Sequence, residues 1–127
     1  MSNVSCYGSY IDENCVALFP EMLALYGQKL LSEASKIGSY IFFEDYFNEF
    51  IEKHKDDDLL LSRAAAYIES MAKSDDVNVQ NLTEIGVLSG LVNREVYGMA
   101  KYLKPYSKKL LNKASSHTKV DRNIWFS

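Results

Sequence analysis

The sequence predicts an all-α fold, an irregular bundle of about six or seven helices around a central helical hairpin at residues 58–92. On both sides of a short polar turn, Ser74-Asp75-Asp76, apolar residues recur every three or four positions. This spacing places them on one face of a helix, and Ser and Asp favour the turn between two helices. Gly and Pro number only 6 and 2 of 127 residues, and no stretch alternates convincingly as a strand. Both observations argue against an all-β fold.

The segment before the hairpin predicts three helices. Residues 1–10 read as irregular, and Asp12 is predicted to cap a short helix that ends at Phe19. Pro20 suits the first turn of a second helix, over about 20–35, because its missing N–H has no partner there. Gly38 is expected to end this segment. A third helix, with an aromatic face, runs from about residue 39 to His54.

The segment after the hairpin predicts two further helices and an apolar tail. Asn93 is placed to cap a helix over 94–103, and Pro105 marks either a kink or the start of a helix that extends to about Ser115. The tail is too apolar to remain in solvent and is expected to dock on the bundle. Residues 1–127 are therefore predicted to form one domain, with 1–10 and 116–127 as less regular ends.

Charge is distributed unevenly along the chain. Residues 1–93 hold 15 acidic and 6 basic side chains, a net charge of −9, whereas residues 94–127 hold 2 acidic and 8 basic ones, a net charge of +6. An acidic body with a basic end bears on the choice of partners rather than on the fold.

The sequence also suggests where the protein acts. It has no basic segment followed by an apolar run at its start, and no apolar run approaches 18 residues. We therefore expect a cytoplasmic protein that does not insert into a membrane. Cys6 and Cys15 match no metal-binding or CxxC spacing, so both are predicted to be free thiols.

Motifs that carry catalysis are missing from the sequence. The two His residues form no HxxxH, HExxH or ExxH pair, and neither a phosphate-binding glycine loop nor a GxSxG elbow is present. We therefore expect a binding protein rather than an enzyme, with no cofactor and no metal ion. A helical enzyme of unrecognised type is the remaining alternative, and a metal ion in the purified protein would favour it.

Acidic side chains on the third predicted helix are the main candidates for partner binding. Asp45, Glu49 and Glu52 are spaced i, i+4, i+7 and share one helical face, with Tyr46 as an aromatic neighbour. This face has three interpretations: an ordinary solvated surface, a binding surface for a basic partner, or a metal or acid–base site. The candidates continue into the acidic run that follows, formed by Asp56, Asp57 and Asp58. That run also has a local explanation, because acids at the start of a helix oppose its positive dipole end.

Basic side chains near the carboxyl end suggest a second kind of partner. Five lysines at helical spacing alternate with three tyrosines, at Lys101, Lys104, Lys108, Lys109, Lys113, Tyr97, Tyr102 and Tyr106. Lysines pair with phosphates and tyrosines stack on bases, so the alternative function is a nucleic-acid-associated regulator that uses a basic helix at 101–113. The overall acidity, with a sequence pI of about 5.4, makes nucleic acid the less favoured partner.

A resemblance to a known class covers about residues 42–92. The stretch FEDYFNEFIEKHKDDD is followed by a helix with an Ile68-Glu69 pair, a short acidic turn and a helix that changes from polar to apolar. This pattern resembles small helical bacterial immunity proteins of polymorphic toxin systems, including contact-dependent growth inhibition. The resemblance implies a cytosolic protein that binds and occludes one cognate toxin domain, often a nuclease. Nucleases are commonly basic, which agrees with the acidic surface predicted here.

Overall fold

In the computed structural model, which describes residues 9–114 and 120–126, all regular structure is helical. Within these described residues eight helices follow one another: α1 (Ser9–Leu18), α2 (Glu21–Tyr26), α3 (Leu30–Ile37), α4 (39–53), α5 (Asp58–Ala72), α6 (77–93), α7 (Pro105–Ala114) and α8 (Arg122–Trp125). Helix α4 consists of Ser39–Ile41, a π-helical segment Phe42–Phe47, and Asn48–Lys53. Helix α6 consists of Val77–Asn81, a second π-helical segment Leu82–Leu88, and Ser89–Asn93. The predicted all-α fold is confirmed.

The central hairpin forms as predicted from α5, α6 and the turn between them. Asp57 caps α5 by accepting a hydrogen bond from the Leu60 amide at 3.1 Å. Asp76 caps α6 in the same way, at 2.9 Å from the Asn78 amide, and its own amide donates to Ser74 Oγ at 3.1 Å. The polar turn therefore ends one helix and begins the next, because its side chains replace missing backbone partners.

Two of the expected helices before the hairpin have different bounds. The helix predicted over 20–35 is divided into α2 and α3, because Gly27 adopts a φ of 96° that interrupts helical geometry. Helix α1 begins at Ser9, so the predicted cap at Asp12 was wrong: Asp12 lies in the first turn and is buried. The predicted boundary at Gly38 is confirmed, since its φ of 88° ends α3.

The helix predicted over 94–103 is absent. Helix α6 continues to Asn93, and Glu95 then adopts a φ of 59°, which turns the chain out of helical geometry. Only a short 3-10 turn, Tyr97–Met99, follows before α7. Helix α7 begins at Pro105, as one of the two interpretations of that proline predicted.

The core is one continuous apolar cluster to which all eight helices contribute. Its largest fully buried side chains include Trp125, Phe19, Phe42, Phe43, Phe47 and Phe50. The tail docks as predicted: Trp125 is 1% exposed, and Val120, Ile124 and Phe126 pack against the core. Residues 1–8, including Cys6, and residues 115–119 of the tail lie outside the described residues. No described helix combines the length and apolarity that crossing a bilayer requires.

Candidate protein-binding surface

Helix α4 carries four of the seven predicted contact residues, Asp45, Tyr46, Glu49 and Glu52, and is fixed by its opposite face. That face is fully buried and contributes Phe42, Phe43, Phe47, Phe50 and Ile51 to the core. The rings of Phe47 and Phe50 lie edge-to-face with Phe19, at centroid distances of 5.4 and 6.0 Å. Each large apolar side chain contributes about 1.5–3 kcal/mol by burial. The outer face of α4 is therefore held on a rigid support.

A buried asparagine that follows the π-helical segment of α4 joins this helix to the π-helical segment of α6. Asn48, which is fully buried, donates from Nδ2 to the carbonyl oxygens of Gly86 at 3.0 Å and Val87 at 3.2 Å. A π-helical turn disturbs the regular pattern of backbone hydrogen bonds, and Asn48 supplies donors to carbonyls at such a turn. This contact holds α4 at a defined position against α6.

Two acids on the outer face of α4 point into solvent. Glu44 and Asp45 are exposed and follow the exposed apolar residues Tyr40 and Ile41 on the same side of the helix. Asp45 is one of the predicted contact residues, whereas Glu44 was not singled out by the sequence. Within the described residues, the Asp45 side chain forms no ion pair. Its negative charge is therefore available to a partner.

Glu49 and Tyr46 take part in contacts within the molecule. The Tyr26 hydroxyl donates to Glu49 Oε1 at 2.7 Å and to the Tyr46 carbonyl at 3.0 Å. The two tyrosine rings meet edge-to-face at 5.0 Å. Burial, followed by the adjacent Glu49 carboxylate, raises the pKa of the Tyr26 hydroxyl, so it remains a proton donor. Tyr46 and Glu49 are half-buried, and a partner could contact only part of each.

Glu52 pairs with Arg94, which lies 42 residues further along the chain and was not predicted as its partner. Arg94 Nη1 lies 2.7 Å from Glu52 Oε1, and Arg94 Nη2 donates to the Glu44 carbonyl at 3.2 Å. Arg94 follows the end of α6, so this ion pair ties α6 to α4. Its side chain is 28% exposed and that of Glu52 is 40% exposed. The pair therefore neutralises part of the acidic face and leaves the Glu44–Asp45 end the more negative.

Two of the three residues in the acidic run between α4 and α5 form contacts within the molecule. Asp57 is the α5 cap, and Asp58 opens α5, where it lies 3.8 Å from Lys101 Nζ. Asp56 is exposed in the connecting segment. Since Lys53 and Lys55 precede the run, its net charge is largely compensated. The local explanation for this run is thus confirmed for Asp57, and the run is a weaker candidate for partner contact than Asp45.

The basic segment does not form one continuous helix. Lys101 and Lys104 precede α7, whereas Lys108, Lys109 and Lys113 lie on it. Lys113 Nζ is 3.7 Å from the buried carboxylate of Glu84. The ring of Tyr106, 49% exposed, has Lys73 Nζ and Lys109 Nζ at 5.7 and 5.6 Å from its centroid. The tyrosine, Lys109 on the same helix and Lys73 just after α5 thus form a small basic and aromatic cluster.

Groups suited to nucleophilic or metal chemistry are sparse in the described part of the chain. Cys15 is a buried free thiol, as predicted, and burial raises its pKa well above the usual value. No three His, Cys, Asp or Glu side chains among residues 9–114 and 120–126 are close enough to hold a metal ion.

Comparison with known proteins places the chain in a family. Curated proteins and solved structures gave no match. The family described as "Domain of unknown function (DUF7674)" matches residues 13–119, which is more than four fifths of the chain. The matched range includes α4 with its exposed acids. The protein therefore belongs to the DUF7674 family.

Proposed function

We propose that this protein is an immunity protein that binds one basic toxin domain, most simply a nuclease, and blocks its active site. The observation that carries the proposal is the exposed acidic outer face of α4, at Glu44 and Asp45, on a helix whose inner face is fully buried in the core. A charged surface that is already fixed loses little conformational entropy on binding and attracts an oppositely charged partner from a distance.

The mode of action proposed is occlusion in the cytoplasm. An inhibitor of this kind needs no catalytic group, since covering the phosphate-binding surface of a nuclease is sufficient to stop it. The resemblance of residues 42–92 to immunity proteins of toxin systems supports the same function. Glu44 and Asp45, with partial contributions from Glu49, Glu52, Asp56, Asp57 and Asp58, would form the acidic part of the interface. Tyr46 would add an aromatic contact.

Co-expression tests this proposal. The tagged protein is expressed with the product of the gene just upstream and purified at moderate salt, and growth is measured with and without it. A one-to-one complex and relief of growth arrest are expected. A basic protein of similar size from an unrelated gene serves as the control for nonspecific attraction. Recovery of the tagged protein alone, with growth arrest unrelieved, would contradict the proposal.

The second candidate function, regulation of a nucleic acid, is favoured by the cluster of Tyr106, Lys73 and Lys109. Such a site would bind single-stranded RNA or DNA with strong salt dependence. Replacement of Lys104, Lys108 and Lys109 by Glu should then abolish a mobility shift that the wild type shows at low salt. The absence of any shift for the wild type would exclude this function.

A further inference from the structure

A cavity of about 430 Å³ lies beside the carboxyl end of α6. Three parts of the chain build it: the end of α6, the turn that follows, and α8 together with the residue that caps it. The residues that line it are Val92, Asn93, Glu95, Tyr97, Asp121 and Trp125. Its volume suits one side chain of a partner rather than a whole helix.

Aromatic rings form one wall of the cavity. Trp125 is 1% exposed and is held by the core, and the ring of Tyr97 lies 6.2 Å from it at an interplanar angle of 59°. Tyr97 itself is 45% exposed. A ligand in the cavity would therefore meet the tyrosine ring, backed by a fixed indole. The negative face of such a ring attracts cations.

Two carboxylates supply negative charge to the same cavity. Glu95 is exposed, and its side chain has no hydrogen bond or ion pair with any described residue. Asp121 uses Oδ1 to cap α8, accepting from the Asn123 amide at 3.0 Å, which leaves Oδ2 for a ligand. None of the six lining residues is Lys or Arg.

The two arginines that are next in sequence to these acids are engaged elsewhere. Arg94 pairs with Glu52 and donates to the Glu44 carbonyl on α4. Arg122 donates to Asn112 Oδ1 at 2.8 Å and lies over the Phe126 ring at 4.5 Å. Each acid is thus separated from the cation beside it, so the negative charge of the cavity is not neutralised by those neighbours.

We propose that this cavity binds a single arginine side chain of the basic partner. A guanidinium group is planar, donates two parallel hydrogen bonds to a carboxylate and stacks on an aromatic ring, which matches Glu95 and Tyr97, with Asp121 Oδ2 as a further acceptor. The identity of the partner rests on the proposed function, whereas the cation chemistry of the cavity does not. The cavity would give the interface a specific anchor beside the acidic face of α4.

Trp125 provides a direct readout, because it is the only tryptophan in the chain and forms part of the cavity wall. N-acetyl-arginine amide is titrated into the full-length protein while tryptophan fluorescence is followed. A saturable change is expected, weaker with N-acetyl-lysine amide and absent with the neutral N-acetyl-glutamine amide. No saturable change with the arginine compound, or an equal change with the neutral one, would overturn the proposal.

Variants that remove one charge each distinguish arginine binding in the cavity from general attraction to a negatively charged protein. Glu95→Gln and Asp121→Asn should each weaken arginine binding about two- to fivefold, and together about tenfold. Asn at position 121 still caps α8, so the fold is retained. The matched control, Glu33→Gln with Asp75→Asn, removes the same charge from exposed positions on other elements and should leave the affinity unchanged. Equal effects of the two double variants would overturn the proposal.

The result of the arginine titration does not depend on the result of the co-expression experiment. The titration uses no toxin, so arginine binding in the cavity supports the site even when no complex is recovered. Absence of arginine binding removes the site even when a complex forms through α4.

Discussion

At the scale of single residues, the most consequential buried polar group is Glu69, whose carboxylate caps a helix other than its own. Glu69 lies on α5 and is 8% exposed. Its oxygens accept from the amides of Tyr106 and Ser107 at 3.1 and 2.9 Å and from the Ser107 hydroxyl at 2.9 Å. These amides are among the unpaired donors at the start of α7. A carboxylate there also opposes the positive helix end.

Replacing Glu69 by Gln should destabilise the protein by about 1–3 kcal/mol, because the amide group removes one acceptor and the negative charge. Chemical unfolding in urea measures the change. Glu13→Gln, at an exposed position on α1, is the matched control and should change stability by no more than about 0.5 kcal/mol. Equal stability of Glu69→Gln and wild type would show that the cap contributes nothing.

Asp12 should make stability depend on pH. Burial raises its pKa to about 6, with a smaller opposing effect from its hydrogen bond to Ser39. The folded state therefore holds the proton more tightly than the unfolded state, whose pKa is near 3.8. The stability contribution of Asp12 is fully present below about pH 4 and is lost as the pH rises through about 6.

Asp12→Asn removes this titration while keeping a hydrogen-bonding side chain. The variant should be more stable than the wild type at pH 7.5, by about 1–3 kcal/mol, and the difference should shrink as the pH falls to 4. Thermal unfolding at several pH values gives the comparison. A difference that stays constant from pH 4 to 7.5 would argue against a buried, titrating Asp12.

At the scale of elements, the sequence predicted the hairpin and α4 well because apolar spacing and capping residues are local signals. The break at Gly27 was missed although it carries the same local glycine signal that placed the boundary at Gly38. The break at Glu95 could not be predicted, because a positive φ at a glutamate has no local sequence signal. The π-helical segments were also missed. Their support comes from Asn48, which contacts residues 38 and 39 positions away. No single-sequence pattern reports such a contact.

Asn48 and Gly90 should be energetically coupled. A Cβ on Gly90 would lie too close to Asn48 Nδ2 for both to keep their places, so Gly90→Ala should displace the amide and weaken its two hydrogen bonds. Asn48→Ala and Gly90→Ala should each cost about 2 kcal/mol, and the double variant at least 1 kcal/mol less than their sum. Urea unfolding of the wild type, the two single variants and the double variant measures this double-mutant cycle. Strict additivity of the two free-energy changes would refute the coupling.

At the scale of the whole molecule, folding redistributes the charge that the sequence separates into an acidic body and a basic end. Three basic residues of the carboxyl-terminal part form ion pairs with acids of the body: Lys101 with Asp58, Lys113 with Glu84 and Arg94 with Glu52. Composition predicted the acidic surface but could not predict which acids remain available, because these pairs join residues distant in sequence. Of the predicted contact residues on α4, Asp45 keeps the most accessible charge, and Glu44 joins it.

The proposed function requires the exposed acids of α4, Glu44 and Asp45, to attract a basic protein partner. The most direct test is the rate of association with that partner, measured by stopped-flow fluorescence over a range of salt concentrations. Wild type is compared with Glu44→Lys/Asp45→Lys, and Glu33→Lys/Asp75→Lys is the control with the same charge change on other elements. Glu49 and Glu52 are left intact because they bond to Tyr26 and Arg94.

The α4 variant should associate at least about tenfold more slowly at low salt and depend less on salt, while the control variant should change by about twofold. Equal rates and equal salt dependence for the two variants would contradict this attraction. The outer face of α4 would then be an ordinary solvated surface.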